Sequence, residues 1–104
     1  GDPRPTALGV VAQAGTLTRG VNLTSAINDV GVYDLTLDAT VFPIATAFEF
    51  VVHGTIATTA SSQAIFLFNN ATIIGSNWVI QIQTRNAGSL TSRPFHVTVI
   101  GLAP

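Results

Sequence analysis

The chain has two imidazoles, His53 and His96, and five carboxylates, and any acid–base or metal chemistry must be built from these. Each histidine lies in a segment that alternates like a strand. If those strands pair, the two rings and Glu49 have the donor types that a metal ion accepts. A solvated or hydrogen-bonded strand histidine is the ordinary outcome, and no metal site is expected. Asp34 and Asp38 fall on one side of one strand but four residues apart, about 13 Å at a strand's rise. That is too far to chelate one ion together, and although either could pair with an acid from a neighbouring strand at the ~5–9.5 Å of a glycosidase, five acids and no deep-cleft insertion argue against it. Serine, histidine and aspartate are all present, yet no Gly-x-Ser-x-Gly elbow presents a nucleophile. Gly75-Ser76-Asn77 is a turn and not a phosphate loop. The expectation is no enzyme, no catalytic residue and no cofactor.

Binding chemistry is easier to assemble. Trp78 opens a strand beside the Gly75-Ser76-Asn77 turn, where an indole can serve as a stacking platform for a sugar or as an interface anchor. Its register with Ile80 and Ile82 favours a core residue. Gln81, Gln83 and Arg85 form the opposite stripe, a surface of amides and a guanidinium able to hydrogen-bond a glycan. Asn86, opening the next loop, completes the candidate binding set of Trp78, Gln81, Gln83, Arg85 and Asn86.

The elements that must position these groups are strands. Gly31-Val32-Tyr33-Asp34-Leu35-Thr36-Leu37-Asp38 alternates apolar and polar, as a strand with one buried and one wet face requires. Similar segments run from Leu8, from Leu17 to Leu23 (broken by Gly20), from Ala47 to Thr55, from Gln63 to Phe68, from Trp78 to Gln83 and from Phe95 to Val99. Turn signals separate them at Asn28–Gly31, Pro43, Asn69-Asn70, Gly75–Asn77 and Asn86–Ser89. No sustained 3.6-residue period appears. Fourteen threonines also favour strands. Seven or eight short strands predict an all-β protein, an antiparallel β-sandwich of jelly-roll type. Pro3 and Pro5 set residues 1–6 apart as an extended arm, and residues 7–104 form one sandwich domain.

Composition limits the partners. The 104 residues are 47% hydrophobic and 9% charged, with no lysine and a net charge of −1. That balance argues against nucleic acid or an anionic membrane, whose binders carry basic patches. No apolar run approaches the ~20 residues needed to span a bilayer, and residues 1–6 lack the regions of a secretory signal, so a soluble protein with no membrane insertion is expected. Without cysteine there is no disulfide framework, and the redox compartment is undetermined. A chain this apolar needs part of its surface covered. Ile65, Phe66, Leu67 and Phe68 are apolar on both faces of their strand, and they are the expected interface of a homotrimer.

Thr84-Arg85-Asn86-Ala87-Gly88-Ser89-Leu90, followed by Pro94-Phe95-His96-Val97-Thr98-Val99, resembles the closing segment of small β domains at the ends of bacteriophage tail fibres and in related bacterial surface proteins. Gly15-Thr16-Leu17-Thr18-Arg19-Gly20 and Gly31-Val32-Tyr33 match the Gly-x-x-x-Arg-Gly start and Gly-x-Tyr strand of that group. The likeness spans Gly15 to Gly101. Gly-Val-Tyr also opens a core strand in the trimeric C1q and tumour-necrosis-factor jelly rolls. The resemblance implies a non-enzymatic virion surface module, a tail-fibre tip domain that contacts the host surface or its glycans, with self and other virion proteins as partners. A capsid decoration protein stabilising the phage head is the alternative, and a carbohydrate-active enzyme stands well behind both. The location implied is the virion surface or the outer surface of a bacterium. Ala57–Ser62, Asn69–Asn77 and Asn86–Ser92 are the expected contact loops.

Overall fold

Strand β4, Val32–Leu37, shows how this chain folds. Tyr33, Leu35 and Leu37 are fully buried while Val32, Asp34 and Thr36 between them are half-exposed, as the alternation of residue types requires. The computed structural model describes residues 4–57 and 64–104, and residues 64–70 by their backbone alone. Among the described residues there are nine strands and no helix.

Two antiparallel sheets pack together as a β-sandwich. The four-stranded sheet has the order β2 (Leu17–Val21), β1 (Thr6–Val11), β9 (Phe95–Leu102), β5 (Glu49–Ile56). In the second sheet the order is β3 (Leu23–Asp29), β4, β7 (Asn77–Asn86), β6 (Ala64–Ile74), and β8 (Ser89–Leu90) pairs with β7. The core lies between them. Leu35 and Leu37 of β4 and Ile80 and Ile82 of β7 meet Phe95, Val97 and Val99 of β9 and Val11 of β1. Tyr33 and Phe95 pack edge-on across the two sheets with ring centroids 4.9 Å apart, a geometry worth about 0.5–1.5 kcal/mol beyond burial.

Several boundaries differ from the sequence expectation. The segment Leu17–Leu23 is broken at Asn22, not at Gly20. Asn22 takes φ 63°, a left-handed conformation that asparagine tolerates, and there the chain leaves one sheet for the other. Its side-chain amide donates to Thr6 O at 2.9 Å and its carbonyl accepts from Asp38 N at 2.9 Å, so the corner is held from both sides. Beyond it, β3 runs through Asp29, polar and largely exposed, with a composition that hid it. The turn expected at Asn69-Asn70 is a register irregularity inside β6, which continues to Ile74. The arm is shorter than residues 1–6: Thr6 already pairs with Ile100, and Pro5 O accepts from Gly101 N at 2.9 Å.

Strand β1 also presents the opposite side from the one its larger residues suggest. Ala7, Gly9 and Val11 point into the core, and Leu8 and Val10 point out. The inner position at Gly9 is already filled from elsewhere. A Cβ there would stand 3.2–3.3 Å from side-chain atoms of Leu23, Leu17 and Val97.

Candidate functional site

The five expected binding residues share β7 but not one surface. Gln81, Gln83 and Arg85 lie on the outer face of the second sheet, with Gln81 opposite Asp34 and Gln83 opposite Val32. The Arg85 guanidinium is fixed in place. Nη1 donates to Gly88 O at 2.9 Å, and Nη2 and Nε donate to Gln83 Oε1 at 3.1 and 3.4 Å. The Ala87-Gly88 turn that supplies that carbonyl has φ of 53° and 85° at its two residues. All three guanidinium nitrogens are thereby engaged by the protein, in the fork geometry that suits arginine to oriented hydrogen bonding.

Trp78 faces the other way, in register with Ile80 and Ile82, and packs on the core. Its ring meets Phe50 edge-on at 5.3 Å, and Phe50 continues into a cluster with Phe48 and Phe42 at 5.6 and 5.9 Å. The buried indole Nε1 has no hydrogen-bond partner among the described residues. Phe48, Glu49, Phe50, Ala71 and Trp78 border a cleft of about 530 Å³ at this end of the sandwich. Asn86, at the far end of β7 and opposite Ser89, stands on the Trp78 side of the strand's alternation. The stripe and the indole are thus two separate surfaces.

The expected interface residues Ile65, Phe66, Leu67 and Phe68 are in β6, opposite Arg85, Thr84, Gln83 and Ile82. Their side chains lie outside the described residues. Of the expected contact loops, Ala57–Ser62 falls largely outside them too, and Asn69–Asn77 is mostly strand with a hairpin turn at Gly75-Ser76.

Among the described residues the carboxylates do not converge with one another or with histidine into a metal-binding group. Asp34 lies on the outer face of β4, whereas Asp38 sits past the strand's end, where Oδ1 accepts from Thr40 N and Oγ1 at 2.9 and 2.8 Å. The Thr40 hydroxyl, then its N–H, holds the Asp38 carboxyl below the ordinary aspartate value. Among the described residues no three histidine, cysteine or acidic side chains gather as a metal site.

The outer face of the four-stranded sheet carries what the sequence reading did not assemble. Successive rows across β2, β1, β9 and β5 read Val21–Leu8–Thr98–His53 and Arg19–Val10–His96–Thr55, and Ile100 lies opposite Val51. The rows border a shallow groove of about 480 Å³ that both histidines line. Leu8, Val21 and Val51 are 45%, 52% and 49% exposed. The signal was present in Leu8, Val10, Val51 and Ile100, apolar residues on the outward side of strands whose inward side is also apolar. Comparison with protein-family models, curated proteins and solved structures finds no match for this chain.

Proposed function

We propose that this chain is a non-enzymatic virion surface module, a homotrimeric domain of jelly-roll type at the tip of a phage tail fibre. The observation that carries the reading is the open apolar face of the four-stranded sheet around Leu8, Val10 and Val21, in a chain only 9% charged. An exposed apolar face of this kind is a protein-contact surface, and further copies of the same chain cover it without any added component. Strand pairing supports the jelly roll. β1 pairs with β9 and, nested within them, β4 pairs with β7, both antiparallel. This is the pattern of one long ribbon doubled back and rolled into two sheets.

The two outer faces then divide the work. One is apolar and serves self-association. The other, with Gln81, Gln83 and the braced Arg85, has the amide and guanidinium chemistry that binds the hydroxyls of a host-surface glycan. Cryo-electron microscopy of the intact particle tests the location. Density at the distal end of the tail fibre is the expected result. Density on the icosahedral shell would replace this reading with capsid decoration.

A further inference from the structure

The chain's only two imidazoles are same-face neighbours. His53 on β5 stands opposite Thr98 of β9, and His96 of β9 stands opposite Thr55 of β5, so the histidines occupy one diagonal between two adjacent pairs. Both are exposed, and both line the same shallow groove. Diagonal residues on adjacent antiparallel strands have Cα atoms about 7–8 Å apart, within reach of long side chains leaning together. We infer that His53 and His96 form a binding site for a divalent transition-metal ion on the outer face of the four-stranded sheet.

The chemistry selects the ion class. Two neutral imidazoles suit zinc, copper or nickel and have little attraction for calcium or magnesium, which take oxygen. Metal–nitrogen bonds of about 2.0–2.1 Å require the two ring nitrogens to approach to roughly 3 Å, so both side chains must lean toward each other along the diagonal. His96 stands on β9, which is hydrogen-bonded on both sides by β1 and β5, and His53 stands on the edge strand β5, paired along its length with β9. Thr98 and Thr55 stand directly opposite His53 and His96 in the register, and a threonine hydroxyl is the type of group that accepts from a ligand's second nitrogen and fixes its tautomer. Arg19 shares the row of His96 but stands two strands away, with Val10 between them. Glu49 lies on the same side of β5, about 13 Å from His53 along the strand, beyond reach of the same ion. The protein therefore supplies two ligands and leaves the remaining positions to water.

The full chain is titrated with zinc chloride by calorimetry, and its Cu²⁺ complex is recorded by electron paramagnetic resonance. One zinc per chain and superhyperfine structure from two imidazole nitrogens are expected. His53→Ala and His96→Ala should each weaken binding by about tenfold or more, and Glu49→Gln should leave it unchanged. Both histidines are exposed, so circular dichroism should show these variants folded like the parent. Zinc uptake that survives the double variant, or coupling to a single ring nitrogen, would overturn the site. The site lies on the face assigned above to self-association, so zinc uptake is measured on the parent and on the separated Leu8→Asp chain: a Leu8→Asp chain that is folded and monomeric yet takes up no zinc refutes this inference and leaves the assembly reading standing.

Discussion

The Tyr33 hydroxyl donates to the Gln13 carbonyl at 2.7 Å, tying β4 of one sheet to the turn that follows β1 of the other. The Arg93 carbonyl lies 3.2 Å from the same hydroxyl, so one phenol organises the chain on both sides of the sandwich end. Tyr33→Phe keeps the ring packed on Phe95 and leaves both carbonyls without this donor. A loss of about 1–2 kcal/mol is expected in urea unfolding. An unchanged midpoint would mean that water satisfies both carbonyls.

Gly31, at the head of the Gly-Val-Tyr strand, has φ 69°, and a Cβ there would stand 2.6 Å from Thr84 O and 2.7 Å from Thr91 N. Gly75 has a similar φ of 62° and open space around the same position. The pair separates conformational cost from steric cost. Gly75→Ala should destabilise by about 1 kcal/mol through backbone conformation alone. Gly31→Ala should cost at least twice as much, because backbone atoms of β7 and of the segment after β8 must move. Equal thermal shifts in the two variants would contradict this.

Alternation at Tyr33, Leu35 and Leu37, and again at Phe95, Val97 and Val99, was sufficient for the sandwich, because residue type and burial agree there. β3 was hidden because Thr24 to Asp29 is mostly polar and largely exposed, held by pairing with β4 and not by burial. The orientation of β1 was hidden because Leu17, Leu23 and Val97 fill the space inside Gly9, a contact between distant segments. The stripe Gln81, Gln83 and Arg85 was legible by period. That Trp78 lies on the other side followed from the same period, whose register with Ile80 and Ile82 favoured the core position the indole takes. The nearness of His53 and His96 depends on strand order, which one-dimensional spacing does not carry.

Asp38 gives the stability a defined pH dependence. Its carboxylate accepts from the Thr40 hydroxyl and the Thr40 N–H, and its backbone carbonyl accepts from Phe42 N at 2.8 Å, which sets Phe42 into the core. The folded-state value is lowered, so the contribution is fully present above the ordinary aspartate value and is lost as pH falls through the lower folded value. Asp38→Ala should be less stable than the parent at neutral pH. The gap should close in strong acid, where the parent's carboxyl is protonated. Urea midpoints across that range check it, and a gap that persists in acid would assign the effect to the turn's backbone.

Leu8 tests the apolar face without touching the core, since its side chain is 45% exposed and points away from Leu35 and Ile80. Leu8→Asp should abolish self-association, because burying an unpaired carboxylate between copies costs several kcal/mol. The circular dichroism spectrum and the thermal midpoint of the separated chain should change little. Loss of the fold itself would show that Leu8 is needed within one chain.

The most direct measurement is the mass of the parent chain in solution, by light scattering after size exclusion at micromolar concentration. A homotrimer gives three times the 10.8 kDa of one chain. A stable, soluble species of 10.8 kDa, with Leu8, Val21 and Val51 open to water, would contradict it.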